Sequence, residues 1–370
     1  MINQERLLKT FLEYVQIDSE TGNEKNMGER LIKDLEALGC KVWKDDAGEK
    51  IESNGFNVYA KLDGDDSMEP LLFSAHMDTV KPGNGVKPVV ADGIIKSSGD
   101  TILGGDDKSG VVGIIEALSV VREKSMKHRP VEVLFSVSEE GGMRGAKNAD
   151  YTQFASREAV VLDSGGNVGA VMTAAPGQIK FNATVTGKSA HAGVAPETGI
   201  NAIQAAAAGI AAMKLLRIDE ETTANIATFK SEYATNIVPE KAVIYGEVRS
   251  RSVEKLNAQA DQMKTCMEEA CKKYGATLEL DLETAYLSYT IAAEDPLVKK
   301  VEDACGKIGV SMKIGASGGG SDANIMNHNG LKAVVLGTGM DKVHTTAEQI
   351  TVQNLNDTAH LCLALMSPEA

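Results

Sequence analysis

Short, continuous apolar runs alternate with longer amphipathic stretches along the first half of the chain. The runs are LLFSA (71–75), VEVLFSV (131–137) and AVVLD (159–163). Residues that are apolar at successive positions are typical of strands buried on both faces, as in a largely parallel sheet. Between the first two runs, KSGVVGIIEALSVVREK (108–124) repeats its apolar residues at helical spacing, which predicts a crossover helix. The pattern therefore predicts an α/β unit.

The hydrophobic pattern changes at about residue 176. Alternating segments such as KFNATVTG, TANIATFK and AVIYGEVRS predict half-buried strands, and helices are predicted at 198–216 and 253–274. After Ala285 the first pattern returns, with a helix near 295–308, the strand AVVLG (333–337) and a terminal helix.

We therefore predict two domains of the α/β class. The larger has a mostly parallel mixed sheet flanked by helices, and it is built from residues 1–175 and 288–370. A smaller α+β domain at 176–287 interrupts it. A chain of 370 residues is long enough for a core in each.

Composition narrows the function classes. The 52 acidic and 38 basic residues give a formal charge of −14, which repels nucleic acids and anionic membrane surfaces, although solvated helix faces alone often produce such acidity. We expect no membrane-spanning segment and no secretion signal. Five scattered cysteines indicate reduced thiols and a cytoplasmic location.

Residues able to bind a metal follow the predicted strands or precede the crossover helix. They are His76, Asp78, Asp106, Glu139, Glu140, Asp163 and His344. Ligands of open α/β sheets bind at the carboxyl ends of strands, so these side chains should meet in one crevice. Two carboxylates about 4 Å apart repel by roughly 4 kcal/mol at an effective dielectric constant near 20. Divalent cations would offset that repulsion, and mixed His and carboxylate ligands favour zinc, with cobalt or manganese as alternatives.

Each of these residues also has an ordinary structural interpretation. His76 and Asp78 could form a hydrogen-bonded pair, Glu139 and Glu140 could be solvated charges, and Asp106 could cap a helix. Their joint placement at strand ends favours the metal site.

Six motifs, spread over nearly the whole chain, support the prediction of a metal site. They are SAHMDTV (74–80), GGDDKSG (104–110), SEEGGMRGA (138–146), LDSG (162–165), GKSAHAGVAPETGINA (187–202) and VHTTAE (343–348). This set resembles the di-zinc family of peptidase T, glutamate carboxypeptidases, aminoacylases and succinyl-diaminopimelate desuccinylase, and it is most similar to the peptidase T-like branch.

The resemblance implies a role for each candidate at the metal centre. Asp106 would bridge two zinc ions, with His76 and Asp163 completing one site, and Glu140 and His344 the other. Glu139 would be the general base that activates water, and Asp78 would fix the tautomer of the first histidine.

For the smaller domain, the resemblance implies a lid that also forms a homodimer. His191 matches a position that reaches a neighbouring active site and stabilises the oxyanion, and without the resemblance it would simply satisfy a local carbonyl. Asn236 and Arg249 match positions that contact the substrate carboxylate. Arg249 could instead form an ordinary ion pair, and two residues before it this chain has Glu247 where the family often has Asp.

These features predict a zinc-dependent exopeptidase for short peptides. Asp163, where the family's carboxypeptidases and deacylases usually carry Glu, favours an aminopeptidase or tripeptidase over a di-zinc carboxypeptidase or N-acyl amino acid deacylase. Gly319 lies in a Gly-rich loop that could bring backbone amides close to the peptide.

Two other classes of function remain open from the sequence. Ser317 lies in a G-x-S-x-G pattern, followed by Asp322 and His344 in the chain order of a serine hydrolase triad. An inactive metal-binding scaffold is the second alternative, against which the retained Glu139 argues.

Overall fold

The computed structural model describes residues 2–368 and contains two compact units. Within the described range, unit 1 comprises the residues up to Ala174, Thr290–Ser317 and the residues from Ser321 onward. Unit 2 comprises Ala175–Tyr289 together with Gly318–Gly320. Unit 2 is thus an insertion between two parts of unit 1 along the chain.

The helices and strands, numbered along the chain, follow the predicted alternation. The amino-terminal part contains α1 (Gln4–Val15), α2 (Lys25–Ala37), β1 (Lys41–Lys44), α3 (Ala47–Lys50), β2 (Val58–Leu62), β3 (Leu71–His76), β4 (Pro88–Ala91), β5 (Ile94–Ser97), α4 (Gly105–Lys124), β6 (Val131–Ser136), α5 (Arg144–Asn148), β7 (Glu158–Ser164) and β8 (Ala170–Ala175). The middle part contains β9 (Gly177–Thr186), α6 (Ala202–Ala212), β10 (Leu216–Arg217), β11 (Thr222–Lys230), β12 (Lys241–Ser250), α7 (Val253–Tyr274) and β13 (Thr277–Tyr286). The last part contains β14 (Tyr289–Thr290), α8 (Pro296–Lys307), β15 (Lys313–Ala316), α9 (Asp322–Asn327), β16 (Lys332–Gly337), β17 (Gln349–Thr351) and α10 (Val352–Met366).

Unit 1 is organised by a mixed sheet in the strand order β1-β2-β6-β3-β7-β16-β8-β14, with β15 paired to β8. The adjacent pairs β6-β3, β3-β7 and β7-β16 are parallel, whereas β1-β2, β2-β6 and β16-β8 are antiparallel. Every residue of β3 and of β6 is buried, as their uninterrupted apolar runs indicate. The predicted α/β class with a mixed sheet flanked by helices is confirmed.

Helix α4 is the buried centre of unit 1. All its residues from Gly105 to Val121 are buried, and the helix contacts β3 and β7 as well as α1 and α10. A helix that is covered all round needs apolar residues on every face, which the sequence of this segment provides. It places the residues at its own start beside the carboxyl ends of the parallel strands.

Unit 2 is a five-stranded antiparallel sheet, β10-β11-β12-β9-β13, on which α6 and α7 pack. Phe181, Val248 and Met263 belong to its core. The helix predicted at 198–216 was too long, because α6 covers only Ala202–Ala212. Its start is capped by the side chain of Asn201, and Leu216, the last residue of the predicted helix, belongs instead to β10, whose backbone groups pair with β11.

None of the helices within residues 2–368 has the length and the apolar character needed to cross a lipid bilayer.

Candidate metal centre

Strand ends and one helix start supply the candidate ligands in unit 1. His76 is the last residue of β3, and in the parallel ladder it is paired with Ser136, the last residue of β6. Asp163 is the penultimate residue of β7, and Asp106 lies at the start of α4. Because neighbouring parallel strands end at the same edge, side chains far apart in the sequence become neighbours.

The carboxylate of Asp106 lies between two histidines. Its Oδ1 is 3.1 Å from Nε2 of His76, and its Oδ2 is 3.2 Å from Nε2 of His344. The same His344 nitrogen is 2.8 Å from Oε1 of Glu140. One carboxylate therefore directs one oxygen towards each imidazole, which is the arrangement required of a ligand shared by two ions.

Two groups of donor atoms within residues 2–368 are close enough to hold an ion. The first is His76, Asp106 and Glu140, and the second is His76, Glu139 and Asp163; in each group the donor atoms lie within 4.8 Å of one another. Oδ1 of Asp163 is 3.8 Å from Nε2 of His76. Glu139, assigned as general base by the resemblance, is thus also within reach of an ion beside His76.

The electrostatics of this cluster fit divalent cations. Burial raises the pKa of Asp163 and of Glu139, and neighbouring carboxylates raise it further. Burial would raise the pKa of Asp106, but hydrogen bonds from His344 and His76 hold it below its usual range. Contacts with Asp106 and Glu140 raise the pKa of His344 to about 10. The carboxylates cannot all be ionised without positive charge among them, and nitrogen and carboxylate donors at these separations suit zinc-like ions.

Asp78 contacts more than the histidine that it was predicted to orient. Nδ1 of His76 lies 3.0 Å from the main-chain oxygen of Asp78 and 3.5 Å from its Oδ1. The carboxylate instead accepts the backbone N–H groups of Glu139, at 2.8 Å, and of Glu140, at 3.2 Å, and the hydroxyl of Thr21, at 2.7 Å. Asp78 therefore holds the turn that carries both glutamates, while its carbonyl orients the imidazole.

Three buried groups beside the centre had no role in the sequence-based prediction. Asp107 accepts the backbone N–H of His76 at 3.3 Å, and Lys108 donates to the carbonyl of Ile17 at 3.0 Å. Glu348 accepts three backbone N–H groups in the segment leading into α4. Their positions within the motifs GGDDKSG and VHTTAE were the only available signal.

The groups of the alternative serine hydrolase triad are engaged elsewhere. The hydroxyl of Ser136 donates a hydrogen bond to Oδ2 of Asp322, and burial raises the pKa of Asp322 to about 6. His344 pairs with Asp106 and Glu140. The geometry therefore favours a metal centre over a serine nucleophile at Ser317.

His191 and Asn236 lie close together in unit 2. The N–H of Ala192 donates to the carbonyl of Asn236 at 2.8 Å, and His191 is exposed. Nδ1 of His191 accepts the N–H of Gly193 at 3.1 Å, so a neutral ring carries its proton on Nε2. Within residues 2–368 that Nε2 has no hydrogen-bond partner, which leaves it available as a donor.

Arg249 forms an ion pair with Glu247, which was the alternative to a contact with the substrate carboxylate. Its Nε and Nη2 donate to Glu247 at 2.8 and 3.0 Å, in a bidentate pair on β12. A substrate carboxylate would have to compete with Glu247 for these donors. Gly319 belongs to the short segment 318–320 that is grouped with unit 2.

Known proteins are similar to this chain in both sequence and fold. The profile of peptidase family M20/M25/M40 matches residues 72–367. The crystal structure of aminopeptidase PepT from Bacillus cereus ATCC 10987 is 42% identical, with a TM-score of 0.91 over 99% of this chain and 98% of that one. A tripeptidase structure from Staphylococcus aureus subsp. aureus mu50 is 37% identical, with a TM-score of 0.96 over 100% and 99%. Peptidase T of Geobacillus thermodenitrificans (strain NG80-2) is 23% identical over 98% of both chains. The resemblance to the peptidase T-like branch is confirmed, and the chain belongs to peptidase family M20/M25/M40.

Proposed function

We propose that this protein is an exopeptidase that uses two divalent metal ions, with zinc as the first choice, to cleave short peptides as an aminopeptidase or tripeptidase. One observation carries the proposal: Asp106 directs one carboxylate oxygen to each of two histidines, and Glu139 lies beside the same cluster. Similarity to an aminopeptidase and to a tripeptidase structure supports the choice of substrate.

In this proposal Asp106 would serve both ions. His76 and Asp163 complete one site, and Glu140 and His344 complete the other. Nitrogen and carboxylate donors suit zinc, with cobalt or manganese as substitutes. When bound, two such ions would polarise a scissile carbonyl and lower the pKa of a water molecule.

Glu139 takes the proton from the attacking water and delivers it to the leaving amine. Its backbone N–H donates to Asp78, so its main chain is held in position without use of its own carboxylate. The N–H of Glu140 is bound by the other oxygen of Asp78, so the base and a metal ligand share one support.

Substrate recognition is assigned to unit 2. We assign oxyanion stabilisation to the free Nε2 of His191, reaching a neighbouring subunit of a homodimer, and substrate contacts to Asn236, Arg249 and Gly319. A cytoplasmic location completes the proposal and is supported by the five free cysteines.

Mixing two inactive variants tests the dimer and His191 together. We expect His191→Ala and Glu139→Gln each to have low turnover, because each lacks one group of the same site. In a mixed dimer, one site combines an intact Glu139 with an intact His191 from the partner. After subunit exchange, equimolar mixing should restore about one quarter of the parent activity. A mixture no more active than its components would contradict the shared site.

The function itself is tested on a panel of substrates. We expect the metal-loaded protein to hydrolyse di- or tripeptides with a free amino terminus faster than N-acylated amino acids or peptides ending in glutamate. A chelator should abolish the activity and added zinc restore it, whereas a fluorophosphonate should have no effect. Loss of activity to the fluorophosphonate alone would support a serine hydrolase, and preference for N-acylated substrates a deacylase.

A further inference from the structure

Glu348 concentrates three backbone contacts on one buried carboxylate. It is 1% exposed, its Oε2 accepts the N–H groups of Leu103 and Gly104 at 2.8 Å each, and its Oε1 accepts the N–H of Asp106 at 2.9 Å. These partners are more than 240 residues away in the sequence. The contacts therefore join two distant segments of unit 1.

The segment held by Glu348 is the one that presents Asp106. The backbone of Asp106 departs from helical geometry, with φ −80° and ψ 104°, although it lies in the first turn of α4. A helix does not satisfy the N–H groups of its own first turn, so their direction depends on an external acceptor. Glu348 is that acceptor here.

The segment that contains Glu348 also supplies a candidate ligand. His344 precedes Glu348 by four residues, and its Nε2 lies 3.2 Å from Oδ2 of Asp106. The N–H of Glu348 donates to the carbonyl of Thr345 at 3.1 Å, which keeps this segment compact. Directly after it, β17 pairs with β5. The main chain and the side chain of Asp106 therefore both contact residues 344–348.

We propose that Glu348 is a positioning residue for the metal centre: by holding the main chain at 103–106, it sets the separation between Asp106 and His344. This inference rests on the proposed two-metal function. It assigns to Glu348 control of metal affinity and of the position of Asp106 in the loaded centre, and hence of turnover, without contact with the substrate.

Glu132 provides a matched control. It is 3% exposed and accepts the N–H groups of Ala155 and Ser156 at 2.9 Å each. It lies near the start of β6, at the opposite end of that strand from Ser136. Glu132 also forms an ion pair with Lys61 at 2.8 Å. Glu132→Gln and Glu348→Gln both remove a charge from a buried carboxylate that accepts backbone N–H groups, the first remote from the centre and the second beside it.

The test measures zinc dissociation constants by competition with a chromophoric chelator, on full-length variants whose fold is checked by circular dichroism. A glutamine offers one acceptor oxygen and turns an NH2 group towards N–H donors, so we expect Glu348→Gln to weaken zinc binding by about 10- to 100-fold. Glu132→Gln should stay within about twofold of the parent chain, since it is no neighbour of a ligand. At saturating zinc, Glu348→Gln should lower kcat and leave KM nearly unchanged.

Glu348→Asp covers the case in which Glu348→Gln does not fold. It keeps the charge and both acceptor oxygens but shortens the reach by one methylene group, so zinc binding should weaken less than in the glutamine variant and more than in Glu132→Gln. Parent-like zinc constants in the folded Glu348 variants, or equal weakening in Glu132→Gln, would overturn the positioning role. A parent chain that binds no zinc would instead refute the proposed function.

Discussion

Glu139→Gln is expected to retain both metal ions and to lose catalysis by about two to four orders of magnitude. Glutamine has nearly the shape of glutamate, but its neutral amide cannot accept the proton of the attacking water. The backbone N–H of residue 139 still donates to Asp78, so the turn that carries Glu140 should remain in place. Steady-state kinetics and elemental analysis of the same preparation measure the two effects.

Glu140→Gln is the matched control for this experiment. The two glutamates are adjacent and both backbones are bound by Asp78, but Glu140 lies 2.8 Å from His344 and is assigned as a ligand. We expect Glu140→Gln to lose metal from one site. Turnover in Glu139→Gln equal to that of an active parent chain would refute the role of Glu139 as general base, and absence of turnover in both chains would favour an inactive scaffold. Loss of metal from Glu139→Gln would instead make Glu139 a ligand, which its closeness to His76 and Asp163 allows.

Asp106→Ala is expected to lose both metal ions and all activity. Asp106 is the residue whose two oxygens face both histidines, so its removal deprives each site of a ligand at once. Asp163→Ala should remove only the ion beside His76. Elemental analysis should therefore find two metal ions in the parent chain, one in Asp163→Ala and none in Asp106→Ala.

Thermal unfolding provides a second measurement of the Asp106 prediction. An ion that binds only the folded state stabilises it by about 2.7 kcal/mol when its free concentration is about 100 times Kd. The parent chain should gain stability on adding zinc, and Asp106→Ala should not. Two ions still bound to Asp106→Ala would contradict the shared role.

Much of the fold was predictable because buried positions carry apolar residues in a pattern that depends on the type of element. Strands covered on both faces need apolar residues at successive positions, and the runs at 71–75, 131–137 and 159–163 correspond to β3, β6 and β7. Helix α4 is also buried, and its apolar residues recur at helical spacing. The order of these elements implies a parallel sheet, and a parallel sheet gathers the residues after its strands at one edge.

The residues that hold the metal-binding segments in position could not be predicted from the pattern of apolar residues. Asp78 was expected to hold an imidazole, yet its carboxylate binds the N–H groups of Glu139 and Glu140. Glu348 lay in a recognised motif without a role, and only the structure brings it to the amides of 103–106. The length of α6 was also overestimated from the local sequence, and the last residue of the predicted helix, Leu216, belongs to β10, which pairs with β11.

The sequence by itself determined the class of fold, the residue types that converge at the strand ends and the family likeness. Only the tertiary structure decided which oxygen of Asp106 faces which histidine, that Arg249 is paired with Glu247, and which backbone amides Asp78 and Glu348 hold. The physical reason is that burial depends on the local pattern of apolar residues, whereas a hydrogen bond depends on the distance and direction between two groups. For Glu348 and the amides of 103–106, those quantities follow from packing between segments more than 240 residues apart, and the sequence of either segment does not contain them.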